Sequence, residues 1–78
     1  MFILSQDKET LFNVGQLSSI SNDTLDWLKK PYIIKASLIT DDVETLGEYK
    51  DKERANDVFK ALIRSIKAGD EVFVMPEV

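Results

Sequence analysis

The spacing of apolar residues changes twice along the chain. Through the first 49 residues they alternate or run in short blocks, the habit of strands. Between residues 52 and 67 they fall three and four apart, the habit of a helix with one buried face. A last short block, Val72 to Met75, returns to strand character.

Phe2-Ile3-Leu4 predicts a first strand and Thr10–Val14 a second. The polar Asp7-Lys8 pair lies between them, so the two make a hairpin, with Leu11 and Phe12 on opposite faces. Gly15 permits a bend, and Leu17–Ser21 reads as a short third strand. Residues 21–30 admit two readings. In one, Asn22 or Asp23 caps one or two helical turns, and Lys29-Lys30 sit where the helix dipole favours cations. In the other, the segment is a wide loop with Trp27 folded over the sheet edge. Pro31 stops any helix at this point.

Tyr32–Thr40 is the clearest strand. Tyr32, Ile34, Ala36 and Leu38 form an unbroken apolar row and are assigned to the core; Ile33, Lys35, Ser37 and Ile39 form a mixed row. Asp41-Asp42 makes a turn and Val43–Leu46 returns as a strand, with Leu46 inward and Gly47 relaxing its end. Tyr49 is expected at the sheet–helix junction with its hydroxyl near water.

In the helix 52–67 the apolar stripe is Ala55, Val58, Phe59, Leu62, Ile63 and Ile66. Asp51 is the expected N-cap and Gly69 stands in the C-cap region. In the last strand Phe73 and Met75 share one face and Val72 and Val74 the other. Both faces are apolar, so this strand is expected to be central or covered on both sides. The expected fold class is α+β: an antiparallel sheet of about four to six strands with one long helix packed on one face. The element order is β-β-(β)-β-β-α-β, and residues 1–78 form a single domain.

Composition then narrows the chemistry. The chain has 78 residues, no cysteine and no histidine. Disulfides, thiolate nucleophiles, zinc fingers and histidine-dependent triads are excluded. The formal net charge is -4, and all of it sits in the second half: residues 1–39 carry four acids and four bases, residues 40–78 ten acids and six bases. No segment has the roughly 20 apolar residues of a membrane span, and the amino terminus lacks a basic signal-peptide region. The expectation is a soluble, cytoplasmic protein.

Three stretches together resemble a known group. They are Ser5-Gln6-Asp7-Lys8, Leu46-Gly47-Glu48-Tyr49-Lys50 with Glu53-Arg54-Ala55, and Phe73-Val74-Met75-Pro76. The chain resembles small proteins of about 80 residues from Gram-positive bacteria and their phages, a group without an assigned activity. The resemblance implies a bacterial or prophage origin and a sheet-plus-helix fold. It brings no cofactor and no catalytic residue.

The candidate chemistry is thin. Asp41-Asp42-Glu44 is the densest acidic cluster but lacks the fixed oxygen spacing of an ion loop, so it reads as a solvated turn. Glu48 beside Tyr49 is the nearest approach to an acid–base pair. The three glycines are too far apart to cradle a phosphate. No catalytic residue, metal or cofactor is expected. Trp27–Lys35 holds three bases and no acid, with Trp27 and Tyr32 as stacking rings. The candidate interaction surface is therefore Trp27, Lys29, Lys30, Ile33 and Lys35. The favoured partner is a protein or a second copy of the chain; weak nucleic-acid binding is the alternative, disfavoured by the acidic balance.

Overall fold

The computed structural model describes residues 1–23 and 32–78. The elements run β1 (Phe2–Leu4), β2 (Leu11–Asn13), a short 3-10 turn (Val14–Gln16), β3 (Leu17–Asp23), β4 (Tyr32–Leu38), β5 (Val43–Tyr49), α1 (Lys52–Ala68) and β6 (Val72–Val74). The α+β class agrees with expectation. The single sheet does not. The strands divide into two three-stranded sheets, ordered β2-β1-β6 and β3-β4-β5.

The β3-β4-β5 sheet is an antiparallel meander. Its register places Leu17, Ile20 and Asn22 of β3 on the same face as Tyr32, Ile34, Ala36 and Leu38 of β4. This is the face that α1 covers. Ile34 and Ala36 are fully buried, as are Ala55 and Leu62 across from them. In β5 a bulge opposite Ile34 and Lys35 inserts Leu46, so Leu46 and Gly47 are buried in succession. The strand therefore continues past Gly47 to Tyr49 instead of ending there. Gly47 is needed for closeness, not for turning. A Cβ on it would stand 2.8 Å from the Tyr49 hydroxyl oxygen and 3.0 Å from the ring, which lies across the glycine.

The helix forms where its periodicity predicts. Ala55, Val58 and Leu62 are buried, while Ile63 and Ile66 at the side of the stripe remain 37% and 39% exposed. Gly69 ends the helix in the left-handed region with φ 73°, and its N–H donates to Ile66 and Ser65. Asp51 occupies the N-cap position, but its side chain makes no capping bond. Its backbone carbonyl accepts from Ala55 instead.

The second sheet joins the two ends of the chain. β1 pairs antiparallel with β2 and parallel with β6. The parallel pair is outside any reading of local pattern, because Phe2 aligns with Val72. Asn13 ends β2 by accepting from the Gly15 N–H at 2.9 Å, which forms the 3-10 turn where the second strand is predicted to continue to Val14. β3 is longer than predicted, and Asn22 lies within it, its amide donating to Asn56 Oδ1 at 2.6 Å. Asn22 therefore does not cap a helix. The helix-or-loop alternative for the residues after Asp23 lies outside the described residues.

The inner faces of both sheets and α1 share one core, with Ile3, Phe12 and Met75 from the β2-β1-β6 end packed in the same cluster as Ile34, Leu46 and Leu62. Position within that core decides the cost of truncation. Leu62→Ala is expected to destabilise by about 2–5 kcal/mol, whereas Ile66→Ala, already half in water, is expected to cost less than half as much. Urea denaturation of the two variants checks the ranking, and equal midpoints would show that the helix is rotated relative to this description.

Candidate interaction surface

The β2-β1-β6 sheet has two unlike faces. Ile3 aligns with Phe12 and Phe73, and this row points into the core. The flanking rows point outward: Phe2 aligns with Asn13 and Val72, and Leu4 with Leu11 and Val74. Five of these six outward positions are apolar. Phe2 is 40% exposed, Leu11 54%, Val72 48% and Val74 51%, with Leu4 half-buried among them. β6 is an edge strand with one open face, which corrects the expectation that Val72 and Val74 are covered.

Several contacts fix this sheet in place. The Ser5–Thr10 turn is self-supporting. Ser5 Oγ donates to Asp7 Oδ1 at 2.6 Å and accepts from the Thr10 N–H at 3.1 Å, and the Glu9 N–H donates to Asp7 Oδ1 at 3.0 Å. These bonds hold the Asp7 carboxyl below its ordinary pKa, the Ser5 hydroxyl contributing most. Lys8 takes a left-handed φ of 64° at the tip, and its ammonium meets Glu77 at 2.7 Å. That contact lowers the Glu77 pKa, first by the hydrogen bond and then by the charge.

The tail after β6 is held from several sides. The Met75 N–H donates to Leu4 O at 3.0 Å, and Arg54 Nε donates to Val78 O at 2.9 Å. Gln6 Nε2 donates to both Glu48 O and Glu77 O, at 2.8 and 2.9 Å. The Tyr49 hydroxyl donates to Pro76 O at 2.9 Å instead of facing water as predicted. Burial raises its pKa to about 12, against a smaller opposing pull from Arg54.

Of the sequence-predicted surface, Ile33 and Lys35 share the face of β4 turned away from α1. Both are half-buried, among Ser19, Ser21, Ser37, Thr45 and Glu48, so this face is largely polar. Trp27, Lys29 and Lys30 lie outside the described residues. The apolar surplus sits on the other sheet, on Phe2, Leu4, Leu11, Val72 and Val74. One sequence signal marked it: neither Phe2-Ile3-Leu4 nor Val72-Phe73-Val74 contains a polar residue, so neither has a side made for water. Glu48 is exposed, and its backbone, not its carboxylate, is engaged with Gln6.

Among the described residues no group of three or more acidic side chains is placed to hold a metal ion, and no helix is long and apolar enough to cross a membrane. No protein-family model matches the chain, and neither the curated proteins nor the solved structures searched contain a match.

The Tyr49 contact carries a pH signature. Its folded pKa lies above the ordinary 10, so its contribution to stability is full below pH 10 and is lost as the pH rises towards 12. Denaturation midpoints measured from pH 9 to 12 are expected to fall more steeply for the natural chain than for Tyr49→Phe. Parallel curves would place the hydroxyl in water.

Proposed function

We propose that this chain is a non-enzymatic interaction module that associates with a second copy of itself through the outer face of the β2-β1-β6 sheet. The observation that carries the reading is the run of five adjacent apolar side chains on that face. Their exposed area is on the order of 350 Å², within the range of the largest, often functional, apolar patches on small monomers. Two such faces stacked together bury about 700 Å², short of the roughly 1,200 Å² of a standard stable interface, so the dimer is weak.

A second copy suits this face for two reasons. Both edges of the sheet are strands of only three residues, which disfavours edge pairing and leaves the face as the means of contact. None of the nine strand residues is charged, so two copies bring no like charges together at the centre of the contact. The formal charge of -4 on each copy repels at longer range, and salt screens that repulsion over about 8 Å at physiological ionic strength.

Salt therefore separates the two partner classes. Self-association through an apolar face between acidic molecules strengthens with added salt, whereas three lysines neutralising phosphates would weaken with a log–log slope near -2.7. Sedimentation from micromolar to millimolar protein is expected to show the 8.9 kDa species giving way to twice that mass, at lower concentration as salt rises. Leu11→Glu combined with Val74→Glu is expected to abolish the larger species while preserving the fold. A single 8.9 kDa species at every concentration and salt level would refute the proposal.

A further inference from the structure

A second surface stands apart from the sheet face just described. Between β3 and the second half of α1 runs an open groove of about 400 Å³. Val14, Leu17 and Ile20 line one wall, and Phe59, Ile63 and Ile66 the other. The helix stripe is wider than the sheet beneath it, which is why Ile63 and Ile66 are left 37% and 39% exposed. We propose that this groove receives an extended segment of a partner protein, added as a strand along β3, whose groove-facing side chains are apolar at the centre and acidic at the ends.

Three observations support the assignment. The first is the free edge. β3 is seven residues long and pairs only with β4; the Leu17 N–H is turned back to Val14 O, and among the described residues no backbone group of positions 18–22 is bonded on the other side. An unpaired edge of that length supplies main-chain hydrogen bonds to an incoming strand. The opposite edge of the same sheet is taken: Gln6 bonds to Leu46 and Glu48 along β5.

The second is how little opposes pairing: one bulge at Leu17–Ser19 and one charge, Asp23, at the far end of the strand. Positions 17–22 read Leu-Ser-Ser-Ile-Ser-Asn, with no lysine, no proline and no charge.

The third is charge. Lys60 and Lys67 lie three residues before and four residues after Ile63, which makes them its neighbours on the helix surface at the rim of the groove. Neither ammonium is in an ion pair with a described residue. Carboxylates at the ends of an added strand would meet them. A second copy provides this poorly: its own β3 has one acid, Asp23, at one end only, and its own Lys60 and Lys67 would approach these lysines.

The test uses the full chain and a blocked probe peptide, Glu-Ser-Val-Ser-Val-Ser-Glu, whose odd positions face one way. The comparison probe replaces both glutamates with lysine. Titration followed by backbone amide NMR is expected to show saturable binding of the acidic probe, at least about tenfold tighter than the lysine probe. The shifted amides are expected at residues 17–22 and 59–67. The double variant Lys60→Glu, Lys67→Glu, altered only at exposed positions, is expected to reverse the preference. Three results would each overturn the proposal: no saturation up to about 1 mM probe, equal binding of both probes, or shifts confined to residues 2–4, 11–13 and 72–74. So would shifts at 17–22 that follow protein concentration instead of probe, because they would show β3 pairing with its copy. None of these outcomes depends on whether the outer sheet face dimerises.

Discussion

The side chain of Gln6 ties the two sheets into one fold. A primary amide carries the same donor and acceptor as a peptide group, and Gln6 uses both as a strand residue would. Its backbone N–H donates to Leu46 O at 2.9 Å. Its side chain accepts from the Glu48 N–H and donates to the Glu48 carbonyl, both at 2.8 Å, and donates again to Glu77 O at 2.9 Å. One residue from the β1–β2 turn thus finishes the β5 edge and anchors the carboxyl-terminal tail. The Tyr49–Pro76 bond and the Lys8–Glu77 ion pair lie beside it and depend on the same alignment.

The placement of open surface follows from this arrangement. A chain this short builds one long helix, and one helix covers one sheet face. α1 lies on β3-β4-β5, so the inner row of the other sheet shares that core through Ile3, Phe12, Phe73 and Met75. Among the described residues no element remains to cover the outer row. The exposed valines and leucine of that row are the remainder of a small molecule's surface-to-volume problem. Their concentration on one face, free of charge, is what the proposed self-association rests on.

Elements set by neighbours in sequence were legible; those set by distant partners were not. The helix stripe at Ala55, Val58 and Leu62, the inward row of β4 and the Gly69 cap all come from local period or local backbone need. The division into two sheets comes from pairing Phe2 with Val72 and from Gln6 reaching Glu48, and no local pattern encodes either. Gly47 shows the same limit: its neighbours suggest a strand end, whereas its requirement is the Tyr49 ring lying across it. The outer face of β2-β1-β6 was hard to read for a related reason. Bases and aromatic rings drew attention to Ile33 and Lys35, whose face is mostly polar. The apolar face carries no reactive group, and its only signal is missing alternation in two strands too short to display a period.

The role given to Gln6 is open to direct measurement. Gln6→Leu keeps much of the side chain's bulk and removes its three side-chain hydrogen bonds, which at about 1 kcal/mol each corresponds to a loss near 3 kcal/mol. Native-state hydrogen exchange at the Glu48 amide, read beside the global denaturation midpoint, reports on both the bond and the fold. The account predicts that the variant loses Glu48 protection and that its midpoint falls by that amount. Unchanged protection at Glu48, with an unchanged midpoint, would contradict it.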